Sequence, residues 1–168
     1  MIRIAYKSKN HYGNFLRGFL AIVCFALSAL TAMTAAPLQK NPVIWSASCT
    51  KISPTEGVLT VTAKPSAGWH LYGTDIPEGG PVAATLSVTA PDGIVFTDDF
   101  KPSVEPTHTL DANFDMELTW WDEPVTFSRN FTVSPQCESA TLTVTIRFMA
   151  CNDINCAPPK TVTLTVNL

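Results

Sequence analysis

Apolar and polar positions alternate along most of this chain. The clearest run is residues 141–148: Leu142, Val144, Ile146 and Phe148 fall on one side, and Thr141, Thr143, Thr145 and Arg147 on the other. A period of two is the signature of a strand with one face in a core and one in water. Continued in register, it turns Ala150 toward the core and Cys151 outward, onto the accessible side. Leu59, Val61 and Ala63 alternate with Thr60 and Thr62, and Val162, Leu164, Val166 and Leu168 make a last strand with threonines between them. Further strands are predicted over residues 43–49, 69–72, 83–89, 94–96, 114–121 and 125–133. Gly/Pro/Asp punctuation separates them at 53–57, 65–68, 74–81, 91–93 and 122–124. Residues 97–113 carry no period and read as an irregular loop, either a solvated acidic surface or a functional segment. No helical period stands out after residue 41. Eight or nine short strands with frequent turns predict an all-β fold, an immunoglobulin-like antiparallel β-sandwich, with a closed barrel as the alternative.

The first 36 residues break this pattern. Arg3, Lys7, Lys9 and Arg17 precede an apolar run at 19–30, and small residues follow at 31–36. That order is a signal peptide, and the run is short for a membrane span. Cys24 lies inside the run with Val23 before it rather than a small residue, so it is expected to leave with the signal. Lipoprotein anchoring is the weaker alternative. Residues 37–168 then form one domain by size. They keep seven of the eleven basic residues and all fourteen acids, a net charge of −7. That balance disfavours nucleic acid and anionic membrane surfaces as partners. The expected product is exported and periplasmic.

Export changes the reading of the cysteines. Cys49, Cys137, Cys151 and Cys156 remain, an even number in an oxidising compartment, with three possible pairings. The favoured one joins Cys151 to Cys156 and Cys49 to Cys137. The long loop closed by the second bridge is worth about 4–5 kcal/mol in the chain-entropy model, and the short loop of the first only about 2 kcal/mol. The long bridge therefore suits stability, and the short one suits exchange. Asn152, Asp153 and Asn155 supply the turn that the short bridge needs, and Pro158-Pro159 closes it. A zinc half-site would require two more ligands, and neither His70 nor His108 stands at finger-like spacing. No metal is expected.

Several motifs resemble a known family. Thr141-Leu142-Thr143-Val144-Thr145, the Cys151/Cys156 loop and Pro158-Pro159-Lys160-Thr161 resemble the end of the N-terminal periplasmic domain of the thiol:disulfide interchange protein DsbD. Gly68-Trp69-His70-Leu71-Tyr72 resembles the aromatic motif lining its active site. Asn113-Phe114-Asp115-Met116-Glu117-Leu118 and Asp75-Ile76-Pro77-Glu78-Gly79-Gly80-Pro81 resemble variants of that domain in stand-alone or fused forms. The likeness spans nearly all of residues 37–168. It implies an immunoglobulin-like domain without cofactor. Such a domain takes electrons from a membrane-embedded thiol reductase and passes them to periplasmic thioredoxin-fold proteins. Carried over, Cys156 forms the mixed disulfide and Cys151 resolves it, with Trp69, His70, Tyr72, Pro158 and Pro159 around the pair. The 97–113 segment is expected to hold a cap over the sulfurs. Three features depart from the family: four residues rather than five separate the cysteines, Cys49 and Cys137 are extra, and electron donor and acceptor are expected to be separate proteins.

A competing reading is an exported binding module with two inert disulfides, in which Trp120 and Trp121 support a sticky face. Paired tryptophans in a strand more commonly place one in the core and one at its edge. Hydrolase chemistry finds no support, because no nucleophile motif surrounds His70 or His108, and both read as structural or surface residues. Lys160 is the only cation near the cysteine pair and Asp153 opposes it, so exchange would depend on docking more than on a reactive thiolate.

Overall fold

The computed structural model describes residues 41–168 except 138. The expected signal peptide and Cys24 lie outside the described residues. Asn41–Leu168 forms one compact unit in which the described residues contain strands and turns only. The strands are β1 (Val43–Ser53), β2 (Glu56–Pro65), β3 (His70–Tyr72), β4 (Thr85–Thr89), β5 (Ile94–Phe96), β6 (Lys101–Pro102), β7 (Thr107–Asp111), β8 (Met116–Trp121), β9 (Val125–Val133), β10 (Thr141–Phe148), β11 (Ala150–Cys151) and β12 (Lys160–Asn167). They make three antiparallel sheets, ordered β1-β2-β9-β5 with β6 also on β9, β12-β10-β4, and β11-β3-β8-β7. None of these paths closes, so the architecture is the sandwich rather than the barrel.

The alternation read from the chain becomes the core. Leu59, Val61 and Ala63 of β2 face Leu142, Val144, Ile146 and Phe148 of β10 across a single apolar interior. Trp45 of β1 lies 5.3 Å from the Phe148 ring, and Trp121 meets Phe127 edge-on at 5.3 Å. Threonines line the outer faces of β10 and β12, where their branched Cβ suits an extended chain. Thr143 stands opposite Thr165 and Thr145 opposite Thr163.

The 97–113 segment is more ordered than its composition suggests. Its first part is tied to β9, where the Asp98 carboxylate accepts from the Asn130 backbone N–H and side-chain amide, both at 2.8 Å. Its last part is β7, paired with β8 from Thr107↔Trp120 to Asp111↔Met116. In β7 the apolar Leu110 is exposed and the charged Asp111 is buried, the reverse of an amphipathic strand, and the pairing with β8 supplies what the local pattern lacks.

Candidate functional site

The small sheet β11-β3-β8-β7 carries the chemistry. Successive residues of a strand point to opposite faces, and the registers Cys151↔His70, Tyr72↔Trp120 and Asp111↔Met116 are all directly opposed pairs. One face of this sheet therefore presents Cys151, His70, Tyr72, Trp120, Leu118, Met116 and Asp111. The other presents Ala150, Leu71 and Trp121, which belong to the main core. The two tryptophans divide as the sequence suggests: Trp121 is in the core and Trp120 is half-buried on the far side.

Cys151 and Cys156 are joined by a disulfide, with their Cα atoms 4.0 Å apart. Asn152 folds the loop between them. Its side-chain oxygen accepts from the N–H groups of Ile154 at 3.0 Å and Asn155 at 2.6 Å, and its own N–H donates to the Asn155 carbonyl at 2.9 Å. Ala157 N–H returns to the Ala150 carbonyl at 2.9 Å, which closes the excursion before β12 begins. The side chain of Ile154, at the tip, is 82% exposed.

Contrary to the outward position expected from parity, Cys151 is fully buried, while Cys156 keeps partial exposure. The parity itself holds: Ala150 faces the main core and Cys151 faces away from it. What covers Cys151 is a second small core of Tyr72 and Leu118, with Phe114, Met116, Met149, Trp120, Ile76 and Cys156 packed against it. The cover is drawn from β3, β8, the turn before β8 and the segments at Ile76 and Met149, which meet only in the folded chain.

The cover is centred on the tip of the β7–β8 hairpin. Asp111 is 2% exposed. One of its carboxylate oxygens accepts from the backbone N–H groups of Asn113 at 2.7 Å and Phe114 at 3.1 Å. The other accepts from the Tyr72 hydroxyl at 2.8 Å. Asp115 takes a left-handed backbone conformation, φ 52°, which short polar side chains tolerate, and its N–H donates to the Asp111 carbonyl at 2.8 Å. This turn directs the Phe114 ring onto Tyr72, edge-on at 5.8 Å. It also lets the Asn113 amide donate to the Asn152 carbonyl of the disulfide loop at 3.3 Å. The turn at residues 111–115, which begins inside the 97–113 segment, therefore touches the disulfide loop through Asn113 and packs the Phe114 ring on the small core.

Of the structural and surface readings of His70, its burial rules out the second. It is 8% exposed, stacked on Trp120 at 4.6 Å and edge-on to Tyr72 at 5.0 Å. Its Nε2 lies 3.7 Å from an Asp111 oxygen and has no hydrogen-bond partner. Burial pushes the imidazole below its ordinary pKa, with Asp111, Asp122 and Asp153 pulling partly in the opposite direction. Burial and the bond to Asp111 raise the Tyr72 hydroxyl far above the usual phenol range, so it stays a donor. A cleft of about 730 Å³ opens beside these groups, lined among others by Trp69, His70, Asp111, Trp120, Asp122 and Asp153.

The remaining expected site residues are placed as follows. Trp69 is half-buried between this cleft and the main core. Pro158 and Pro159 are exposed on the way into β12. The expected Cys49–Cys137 bridge is not formed: both are free thiols. Cys49 sits in β1 opposite Leu59, whereas Cys137 lies in a turn closed by its own N–H on the Ser134 carbonyl at 2.9 Å, beside Gly93. Burial raises the Cys49 thiol. His108 is exposed, its Nδ1 3.5 Å from a Glu117 oxygen. The sequence reading missed Asp111, Phe114 and Trp120 as site residues. The available signal was an Asp whose side chain could bond the backbone two residues on, just before an aromatic.

The family model described as "Thiol:disulfide interchange protein DsbD, N-terminal" matches residues 36–168. No curated protein matches the chain significantly in sequence. Among solved structures, the complex between the DsbD N-terminal and PilB N-terminal domains from Neisseria meningitidis aligns at TM-score 0.49 and 13% identity, covering 82% of this chain and 91% of that one. The reduced DsbD N-terminal domain of Neisseria meningitidis aligns at 0.42 and 9% identity, covering 71% and 82%. The N-terminal periplasmic domain of ScsB from Proteus mirabilis aligns at 0.45 and 18%, covering 75% of this chain and 44% of that one.

Proposed function

Because the chain belongs to the family of the N-terminal domain of the thiol:disulfide interchange protein DsbD, we propose that it is an exported thiol–disulfide exchange module acting through Cys151 and Cys156. In this reading residues 1–36 are the signal peptide and residues 37–168 the working domain. The observation that carries the proposal is the asymmetry of the disulfide. One sulfur is fully buried, and the other is partly open in a small loop under a hairpin cap.

A partner thiolate attacks Sγ of Cys156, the accessible sulfur. The Cys151–Cys156 bond breaks, its electron pair leaves on Cys151 Sγ, and a mixed disulfide to Cys156 forms. The partner's second thiol then attacks its own bridged sulfur and releases reduced Cys156, so the partner is oxidised by two electrons and this chain is reduced by two. The reverse sequence delivers those electrons to a protein disulfide. Among the described residues no helix is long and apolar enough to cross a membrane. The proposed donor is a membrane-embedded thiol reductase, and the proposed acceptors are periplasmic thioredoxin-fold proteins.

Nothing around Cys156 supplies strong activation, so specificity falls to docking. The approach surface includes exposed Ile154 and the turn carrying Phe114, which packs on the small core around Cys151. The test is a redox titration against glutathione or dithiothreitol, with alkylation and mass mapping of each cysteine. Joint titration of Cys151 and Cys156, roughly between −180 and −270 mV as in catalytic dithiols, supports the module. A bridge that stays closed to below about −300 mV makes the loop a structural staple and the chain a binding module.

A further inference from the structure

Fully buried Cys151 poses a problem for the exchange reading, on which the following rests. When the reduced protein hands electrons on, Cys151 must lose its thiol proton to resolve the mixed disulfide at Cys156, and a thiol shielded from water gives up its proton reluctantly. The side chains that cover it are those of an apolar cluster, Tyr72 and Leu118 with Phe114, Met116 and Met149 around them.

The residue opposite Cys151 in the β3–β11 ladder is His70. Directly opposed residues of antiparallel strands project from the same face with Cβ atoms about 5 Å apart. His70 is held rigidly in that position, stacked on Trp120 and edge-on to Tyr72. Its Nε2 is buried and unpartnered, unusual for a polar atom removed from water. Spent on a purely structural role, such an atom carries a desolvation cost with no return. We propose that His70 is the proton acceptor for Cys151 in the resolving step.

Neutral His70 takes the proton from Cys151 Sγ, and the thiolate attacks Sγ of Cys156 in the mixed disulfide. The Cys151–Cys156 bond forms, the bond from Cys156 to the partner sulfur breaks, and the partner sulfur leaves as a thiolate with the electron pair. The imidazolium holds the proton until the departing thiolate or solvent takes it. In the opposite direction the same imidazolium protonates Cys151 as the disulfide opens. Burial keeps the resting imidazole neutral and able to accept. The groups facing it favour the cation once formed: Asp111 from β7, Asp122 following β8 and Asp153 in the disulfide loop. The Tyr72 hydroxyl of β3 donates to Asp111 rather than to the imidazole. Asp111 is thus a positioning residue, holding the cap and facing His70 with the same carboxylate.

The test uses the reduced mature protein carrying Cys49→Ser and Cys137→Ser, mixed with 5,5′-dithiobis(2-nitrobenzoate) in a stopped-flow instrument between pH 5 and 9. The first release of thionitrobenzoate reports attack by Cys156, and the second reports closure by Cys151. The expected second phase rises with pH to a plateau, with its inflection below the ordinary imidazole value of about 6.5. In His70→Gln the second phase slows by about tenfold or more at pH 7 and climbs with pH through the thiol range without a plateau, while the first phase is unchanged. A second phase in His70→Gln with the native rate and pH profile overturns the proposal. Should that variant fail to fold, the native profile decides alone, and a second phase with no inflection below neutrality overturns it. Absence of the first phase in the native protein rejects the exchange reading itself, and the role of His70 with it.

Discussion

The Tyr72 hydroxyl donates to the Asp111 carboxylate at 2.8 Å, a buried bond between residues 39 positions apart in the chain. It joins the floor of the site, in β3, to the turn that holds the cap. The second oxygen of the same carboxylate binds the turn's own N–H groups, so one side chain fixes both the cap's shape and its position. Replacing Asp111 with Ala leaves the Tyr72 hydroxyl and two N–H groups without their acceptor. A loss of about 2–4 kcal/mol is expected, read as a lower urea midpoint. Reduction of the disulfide by dithiothreitol should accelerate as the cap loosens.

Phe114 separates access from stability. Its ring packs edge-on against Tyr72 in the small core that holds Cys151 and is not part of the main core. Phe114→Ala should raise the rate of dithiothreitol reduction several-fold while changing the urea midpoint much less than Asp111→Ala does. An unchanged reduction rate would show that the ring does not guard the bridge.

Cys156→Ser should abolish exchange and leave the fold standing, because a loop this short contributes only about 2 kcal/mol through chain entropy. Circular dichroism and a thermal melt check the fold, and trapping of mixed disulfides with a thioredoxin checks the chemistry. Phe148→Ala is the contrasting control. Phe148 is fully buried against Trp45, so about 3–5 kcal/mol should be lost with the sulfur chemistry untouched in the molecules that remain folded.

Stability should depend on pH through His70. Its imidazole is held below the ordinary value in the folded protein, so below about pH 6.5 the unfolded chain binds a proton that the folded chain resists. Stability is therefore full above that range and falls as the pH drops toward the lowered folded value. Urea midpoints measured from pH 8 to 5 should decline, and His70→Gln should flatten the decline. Asp98 acts in a separate window. Its carboxyl is held down chiefly by the Asn130 N–H, so its contribution persists above its ordinary value of 3.8 and is lost only in stronger acid.

Much of this molecule was legible without coordinates. The faces of β2, β10 and β12, the Asn-rich turn between the cysteines and the division of Trp120 from Trp121 are consequences of period two and of side chains bonding their own neighbourhood. Such properties are local, and the sequence by itself determined them. The 97–113 segment resisted, because β7 is a strand by virtue of its pairing with β8 and not of its own pattern. Cys151 was assigned its correct face and the wrong exposure, since parity says which way a side chain points and nothing about what lies there. The burial of that sulfur, the acceptor role of Asp111 and the imidazole opposite Cys151 were decided only by the tertiary structure. They depend on three segments, near residues 70, 111 and 151, meeting on one face of a sheet, and no local rule of spacing encodes a contact between strands so far apart in the chain.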